Sequence, residues 1–201
     1  MNRADRRHLR NVARATARDL TPPPPSAFAS FGVGSVIVPP ARVSEPQHIE
    51  IGNDVIVHEG SWLSVVSVRA TPARLVIGSG TRIGRDAHIA CVGEVVFGSN
   101  VLTSERVFVG DTYHGYEQPD VPILHQPMAA AKPVHIGDGA FLGVGAIVLL
   151  GVTIGEHAYV GAGAVVTDDV PARTVVVGNP ARAVRRWDAA SSSWVDLPAT
   201  T

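Results

Sequence analysis

From residue 51 onward the chain counts in sixes. Its segments read IGNDVI, VHEGSW, LSVVSV, then IGSGTR, IGRDAH, IACVGE, then FGSNVL, TSERVF, VGDTYH. From residue 136 they run IGDGAF, LGVGAI, VLLGVT, IGEHAY, VGAGAV, VTDDVP without a gap. The first position of each unit is Ile, Val, Leu or Phe, with Thr103 the exception. The fifth is small or β-branched at Val55, Ser61, Thr81, Ala87, Ala140, Ala146, Ala158 and Ala164. Such a period fits neither an α-helix nor the simple alternation of a strand. It fits a short strand followed by a corner, with Gly at position two supplying conformations that a side chain forbids. Three such sides close a triangular turn, and stacked turns form a parallel β-helix. The turns are 51–68, 77–94, 97–114, 136–153 and 154–171, with the first-position residues filling the axis.

Composition agrees with short strands and tight corners. Hydrophobic residues make up 45% of the chain but aromatics only 5%, with 20 Gly and 15 Pro. Val, Ile and small residues must therefore fill the interior. A net charge of −1 gives no global field for nucleic acid. The single cysteine, Cys91, cannot form an internal disulfide, which fits a reducing compartment. The N-terminus lacks the apolar core of a secretory signal, and no stretch reaches the roughly 20 uninterrupted apolar residues of a membrane span. The expectation is a cytoplasmic protein.

Outside the repeats, residues 1–20 carry Arg3, Arg6, Arg7, Arg10, Arg14 and Arg18, with Leu9, Val12, Ala13, Ala17 and Leu20 at near-helical spacing. They predict a short basic helix, either an arm for an anionic partner or a solvated helix packed on a neighbouring subunit. TPPPPS at 21–26 forces an extended course, and 21–50 reads as a Pro-rich linker and lead-in. The β-helix occupies 51–171 with a loop, 115–135, inserted. Residues 172–201 form a C-terminal segment, a short helix followed by a loose tail.

The stretch DTYHGYEQPDVPILHQP at the insertion concentrates chemistry that the repeats lack. His114 closes a hexad there. A neutral imidazole titrates near working pH and suits general-base catalysis; on residue type alone it is equally a turn histidine at the surface. Asp111 orients that imidazole, binds an acceptor, or caps a corner. Tyr113 and Tyr116 offer stacking faces for a sugar ring, or pack the loop. His125 reads as solvent-facing, and Cys91 as buried filler.

Three stretches carry a resemblance to a known family: FGVGSVIVPPARVSEPQHIEIGNDVIVHEGSWL, DTYHGYEQPDVPILHQP and VTDDVPARTVVVGNPARAVR. Together with the hexads they resemble the hexapeptide-repeat acyltransferases over roughly 31–185. The likeness is to sugar O-acetyltransferases of the maltose/galactoside type and to bacterial polysaccharide O-acetyltransferases. It implies a left-handed parallel β-helix of about five triangular coils with a protruding loop, assembled as a homotrimer. It also implies acetyl-CoA as co-substrate and direct acetyl transfer to a hydroxyl of a sugar or glycosylated small molecule. N-acylation of an amino sugar is the alternative, and a non-catalytic β-helix scaffold is a further one.

By this resemblance His114 matches the catalytic histidine, while Thr112 stands where the polysaccharide enzymes often carry a second one. Val144, Gly161 and Ala162 match backbone positions along the pantetheine channel, and Thr167 a position near the adenine. Arg182 and Arg185 match basic residues that meet the CoA phosphates. The hexad rule alone also accounts for the Gly and Ala, and a solvated helix for the arginines. The γ-class carbonic anhydrases share the β-helix and bind zinc with three histidines, two of them spaced H-x4-H. Here Pro119 stands five residues after His114, so no metal is expected.

Overall fold

The computed structural model describes residues 20–68 and 71–198; the basic helix expected at 1–20 falls outside them except for Leu20. Each hexad becomes a short strand and a tight corner. Side chains alternate along every strand, so the residue at position one points to the axis. Three strands close a coil, and coils stack in parallel register into a column with three faces.

The first face stacks Ser30–Phe31, Ile49–Ile51, Arg74–Ile77, Glu94–Phe97, Val134–Ile136 and Thr153–Ile154. The second stacks Val36–Ile37, Ile56–Val57, Arg82–Ile83, Leu102–Thr103, Phe141–Leu142, Tyr159–Val160 and Thr174–Val177. The third stacks Arg42–Ser44, Trp62–Val65, His88–Cys91, Phe108–Gly110, Ile147–Val148 and Val165–Val166. The first and third sheets each hold 6 strands.

The axis is filled as the hexads dictate: Ile51, Ile77, Phe97, Ile136 and Ile154 form one buried column, and Leu63, Ile89, Val109, Val148 and Val166 another. Thr103, the polar exception at position one, is buried with its hydroxyl accepting the Gly84 N–H at 2.9 Å. A buried hydroxyl so satisfied costs little.

The column begins one coil earlier than the hexad count suggests. Residues 31–48 are three further hexads, FGVGSV, IVPPAR and VSEPQH, whose prolines at corner positions disguise the pattern. The C-terminal segment also differs from expectation. No helix forms among its described residues; Arg182–Asp188 and Ser193–Asp196 build an antiparallel hairpin that extends the second face. Two causes are local. Trp187 and Trp194 pair across the strands with ring centroids 5.8 Å apart, a contact that stabilises hairpins. The Asp188 carboxylate accepts the Ser191 N–H and hydroxyl at 3.1 and 2.6 Å and closes the turn.

The faces differ in character. Outside the first face, the Arg74 guanidinium bonds Glu50 and Glu94, and Glu94 also meets His135. The second and third faces carry apolar and aromatic ladders, Leu102–Phe141–Tyr159 on one and Trp62–His88–Phe108–Ile147 on the other. Among the described residues no helix is long and apolar enough to cross a membrane.

Candidate active site

An arm, residues 111–131, leaves the column between the third face and the next coil's first face. Its root is Asp111. That residue's carbonyl accepts the Lys132 N–H at 2.9 Å, so the two ends of the insertion meet. Lys132 in turn offers its carbonyl to the Gly151 N–H, 3.1 Å away, and thereby belongs to the corner of the column. From the root two legs run antiparallel. The Thr112 hydroxyl donates to the Ala129 carbonyl, the Ala129 N–H to the Tyr113 carbonyl, and the Gly115 N–H to the Pro127 carbonyl. His114 faces Met128 in the bridge between these rungs.

His114 is exposed, and among the described residues its ring has no hydrogen-bond or ionic partner. Its neighbours Tyr113 and Tyr116 stack with centroids 5.5 Å apart and rings inclined by 29°. Tyr116 is 64% exposed and Tyr113 37%, so the pair presents an open aromatic surface beside the imidazole.

Two placements differ from the sequence reading. His114 does not end a wall hexad. That place is held by His135, in register with Val96, while Val134 fills the inward position fully buried. Putting Tyr113 inward instead would force a phenol into a slot sized for a small or β-branched side chain. The second correction concerns Asp111. Its carboxylate does not orient His114; it is buried and accepts the N–H groups of Val92 at 3.0 Å and Gly93 at 2.7 Å. Burial raises its carboxyl above the usual range, against the pull of those N–H groups. It is the corner cap among the readings open to it.

The residues matched to the acyl donor lie on other edges. Val144 and Ala162 stack at the corner between the second and third faces, joined by the Gly163 N–H donating to the Val144 carbonyl at 2.9 Å. Gly145 and Gly163 there both adopt φ of +66°, and a Cβ on either would meet nothing within 4 Å. Gly161 is buried, its Cβ place filled by Val177 at 2.7 Å. The result is a strip of bare backbone at Gly145 and Gly163, open to the outside, with Gly161 beneath Val177.

At the far end of Val165–Val166, the Thr167 hydroxyl donates to Asp168, whose carboxylate lies 3.7 Å from Arg182. The structure thus brings Thr167 and Arg182 together. Arg185 is not with them; it bonds Asp196 across the hairpin at 2.7 Å. His125 is exposed in a single 3₁₀ turn, Ile123–His125, at the arm's tip.

The family model described as "Hexapeptide repeat of succinyl-transferase" matches residues 133–168. Nodulation protein L of Rhizobium meliloti is 35% identical over 156 residues, 77% of this chain and 72% of that protein. The chain belongs to the hexapeptide-repeat acyltransferase family. It spans about half, 49%, of a Mycobacterium tuberculosis relative named "Probable acetyltransferase Rv3034c", with 30% identity over 70% of this chain. Among solved structures, PerB from Caulobacter crescentus, in complex with CoA and GDP-perosamine, is 27% identical. That likeness has a TM-score of 0.55 and covers 88% of this chain and 65% of PerB. AntD, an N-acyltransferase from Bacillus cereus, shares the fold with a TM-score of 0.69 at 22% identity, over 83% of this chain and 88% of AntD.

For a hexapeptide-repeat acyltransferase of this build, two residues of the arm escaped the sequence reading. Gly115 is buried, and the place of a Cβ on it is taken by the Pro127 carbonyl, so the legs can approach only at a glycine. Gln126 closes the tip. The signal for both was an HGY run and a Gln-Pro pair in a Pro-rich stretch, which marks a built loop without naming its contacts.

Proposed function

We propose that the chain is an acetyl-CoA-dependent O-acetyltransferase acting on a hydroxyl of a sugar or glycosylated small molecule, working as a homotrimer in the cytoplasm. The observation that carries this reading is the exposed, unpartnered imidazole of His114 beside the Tyr113–Tyr116 surface. The apolar C–H side of a sugar ring suits that surface. The acceptor hydroxyl gives its proton to His114 as its oxygen attacks the thioester carbonyl. The tetrahedral oxyanion, held by backbone N–H groups, collapses and expels the CoA thiolate, which takes the proton from the His114 imidazolium. No acyl-enzyme is needed. The single thiol, Cys91, is buried and its pKa is pushed up to about 12, so it offers no thiolate at neutral pH.

The pantetheine arm lies along the bare strip at Val144 and Ala162, where its amides meet backbone groups; Gly161, matched to the same channel, backs the strip from beneath Val177. Thr167 and Arg182 stand at the phosphate-bearing end, and Arg185 joins them by exchanging Asp196 for phosphate. The strip follows strands of the second face and the arm follows a strand of the third, so they sit on different edges of one column. A strip from one copy and a His114 from the next compose one site, which supports the trimer; so do the two apolar faces. A second reading, N-acylation of an amino sugar, is favoured by PerB and its GDP-perosamine complex.

Release of the CoA thiol from acetyl-CoA, measured across sugars with and without a free amine, tests the proposal. His114→Ala is expected to lose ~10²–10⁴-fold in rate. Retention of full rate sinks the mechanism. Trimers that release no CoA with any acceptor return the chain to the scaffold reading.

A further inference from the structure

We infer that Gln126 is a positioning residue for the acceptor side of the site, an inference that rests on the transfer reading above. The arm's tip is rich in proline at Pro119, Pro122 and Pro127. These residues supply no N–H, so the tip cannot continue the ladder of the legs. The Gln126 side chain takes the place of the absent strand partner. Its Oε1 accepts the Gln118 N–H at 3.1 Å, and its Nε2 donates to the Gln118 carbonyl at 2.9 Å and the Val121 carbonyl at 2.7 Å. Both amide hydrogens and the amide oxygen are thereby engaged.

Gln126 also stands next to Pro127, whose carbonyl takes the Gly115 N–H, and two residues before Met128, which bridges His114. One side chain therefore ties the turn after Tyr116 to the rung beneath His114. Its loss leaves the imidazole and its chemistry intact but frees the aromatic surface to move relative to it. The effect belongs to acceptor binding and not to proton transfer.

Three variants separate the possibilities: Gln126→Ala, Gln126→Glu, which keeps the acceptor and loses both donors, and Gln126→Asn, which keeps the amide on a shorter stem. Amide hydrogen exchange across residues 112–128 is read without any substrate. Gln126→Ala is expected to speed exchange at Gln118 by at least tenfold and at Gly115 by less, leaving Val92 and Gly93 as in the parent. Kinetics follow with acetyl-CoA and two acceptor probes, maltose and dTDP-4-amino-4,6-dideoxyglucose. With whichever probe is turned over, acceptor KM rises about tenfold. The KM for acetyl-CoA and the pH profile of kcat do not move, and Gln126→Glu falls between Ala and the parent. Parent-like exchange at Gln118, or an acceptor KM within twofold of the parent in Gln126→Ala, overturns the inference. If the parent turns over neither probe, the transfer reading fails for these acceptors while the exchange data still decide the brace.

Discussion

At the residue scale the arm depends on how its root is held. Asp111 holds the arm's root to the coil below through Val92 and Gly93. Asp111→Ala leaves two N–H groups without their acceptor, which costs about 1–3 kcal/mol. The expected result is a lowered unfolding midpoint in denaturant with the far-UV spectrum kept; an unchanged midpoint refutes the clamp. Asp111→Asn, which retains one acceptor oxygen, should lose less. That a carboxylate stood near His114 was plain in DTYH. Where it pointed was not, because an Asp three residues from a His caps a corner or meets the ring depending on which neighbouring coil lies beneath it.

At the element scale the third face joins Arg42, Trp62, His88 and Phe108 into a ladder. The Arg42 guanidinium lies 5.7 Å from the Trp62 ring centroid. Trp62 and His88 stack with centroids 4.5 Å apart, and Phe108 meets His88 edge-on at 5.4 Å. Among the described residues His88 Nε2 is buried without a partner, and burial lowers the pKa of the ring. The unfolded chain therefore binds the proton more readily than the folded one. Stability is full above the ordinary imidazole value of about 6.5 and declines as pH falls through that value toward the depressed one. His88→Phe keeps the ring stack and removes the titration. Thermal unfolding of parent and variant should run parallel above about pH 7, with the parent falling further below it. Parallel behaviour down to pH 5 would show that His88 charges freely in the folded state.

At the scale of the whole molecule, the column and the arm are separable. Lys132 already sits in the column's corner, bonded to Gly151, and Lys132–His135 continue from Val109–Gly110 as VGKPVH, an unbroken hexad. Excising 111–131 should leave a chain that unfolds cooperatively with a β-rich spectrum and lacks the acetyl transfer proposed above. The removal strips Val92 and Gly93 of the Asp111 carboxylate, but stacked coils contact only their neighbours, so the loss stays local. Collapse of the deleted chain into an unfolded state would show that the arm is part of the folding unit.

The sequence by itself determined the column. A six-residue rhythm of one branched apolar residue and one small one can bury its apolar set in few other ways, and each coil repeats the same local decision. It determined also that an arm carrying Tyr116 interrupts the column, but it left Tyr113 and His114 on the wall. Only the tertiary structure decided where the wall stops. Cutting at 115–135 or at 111–131 leaves the same six-residue frame, and Val134 takes the inward slot because it packs there against the coils above and below while Tyr113 does not fit. The same holds for Asp111, for Gln126 and for the hairpin at Arg182–Asp196. Asp111 is settled by contacts with residues far back in the chain, the hairpin by a cross-strand pair, and Gln126 by side-chain bonds within its own loop; no six-residue period encodes any of them.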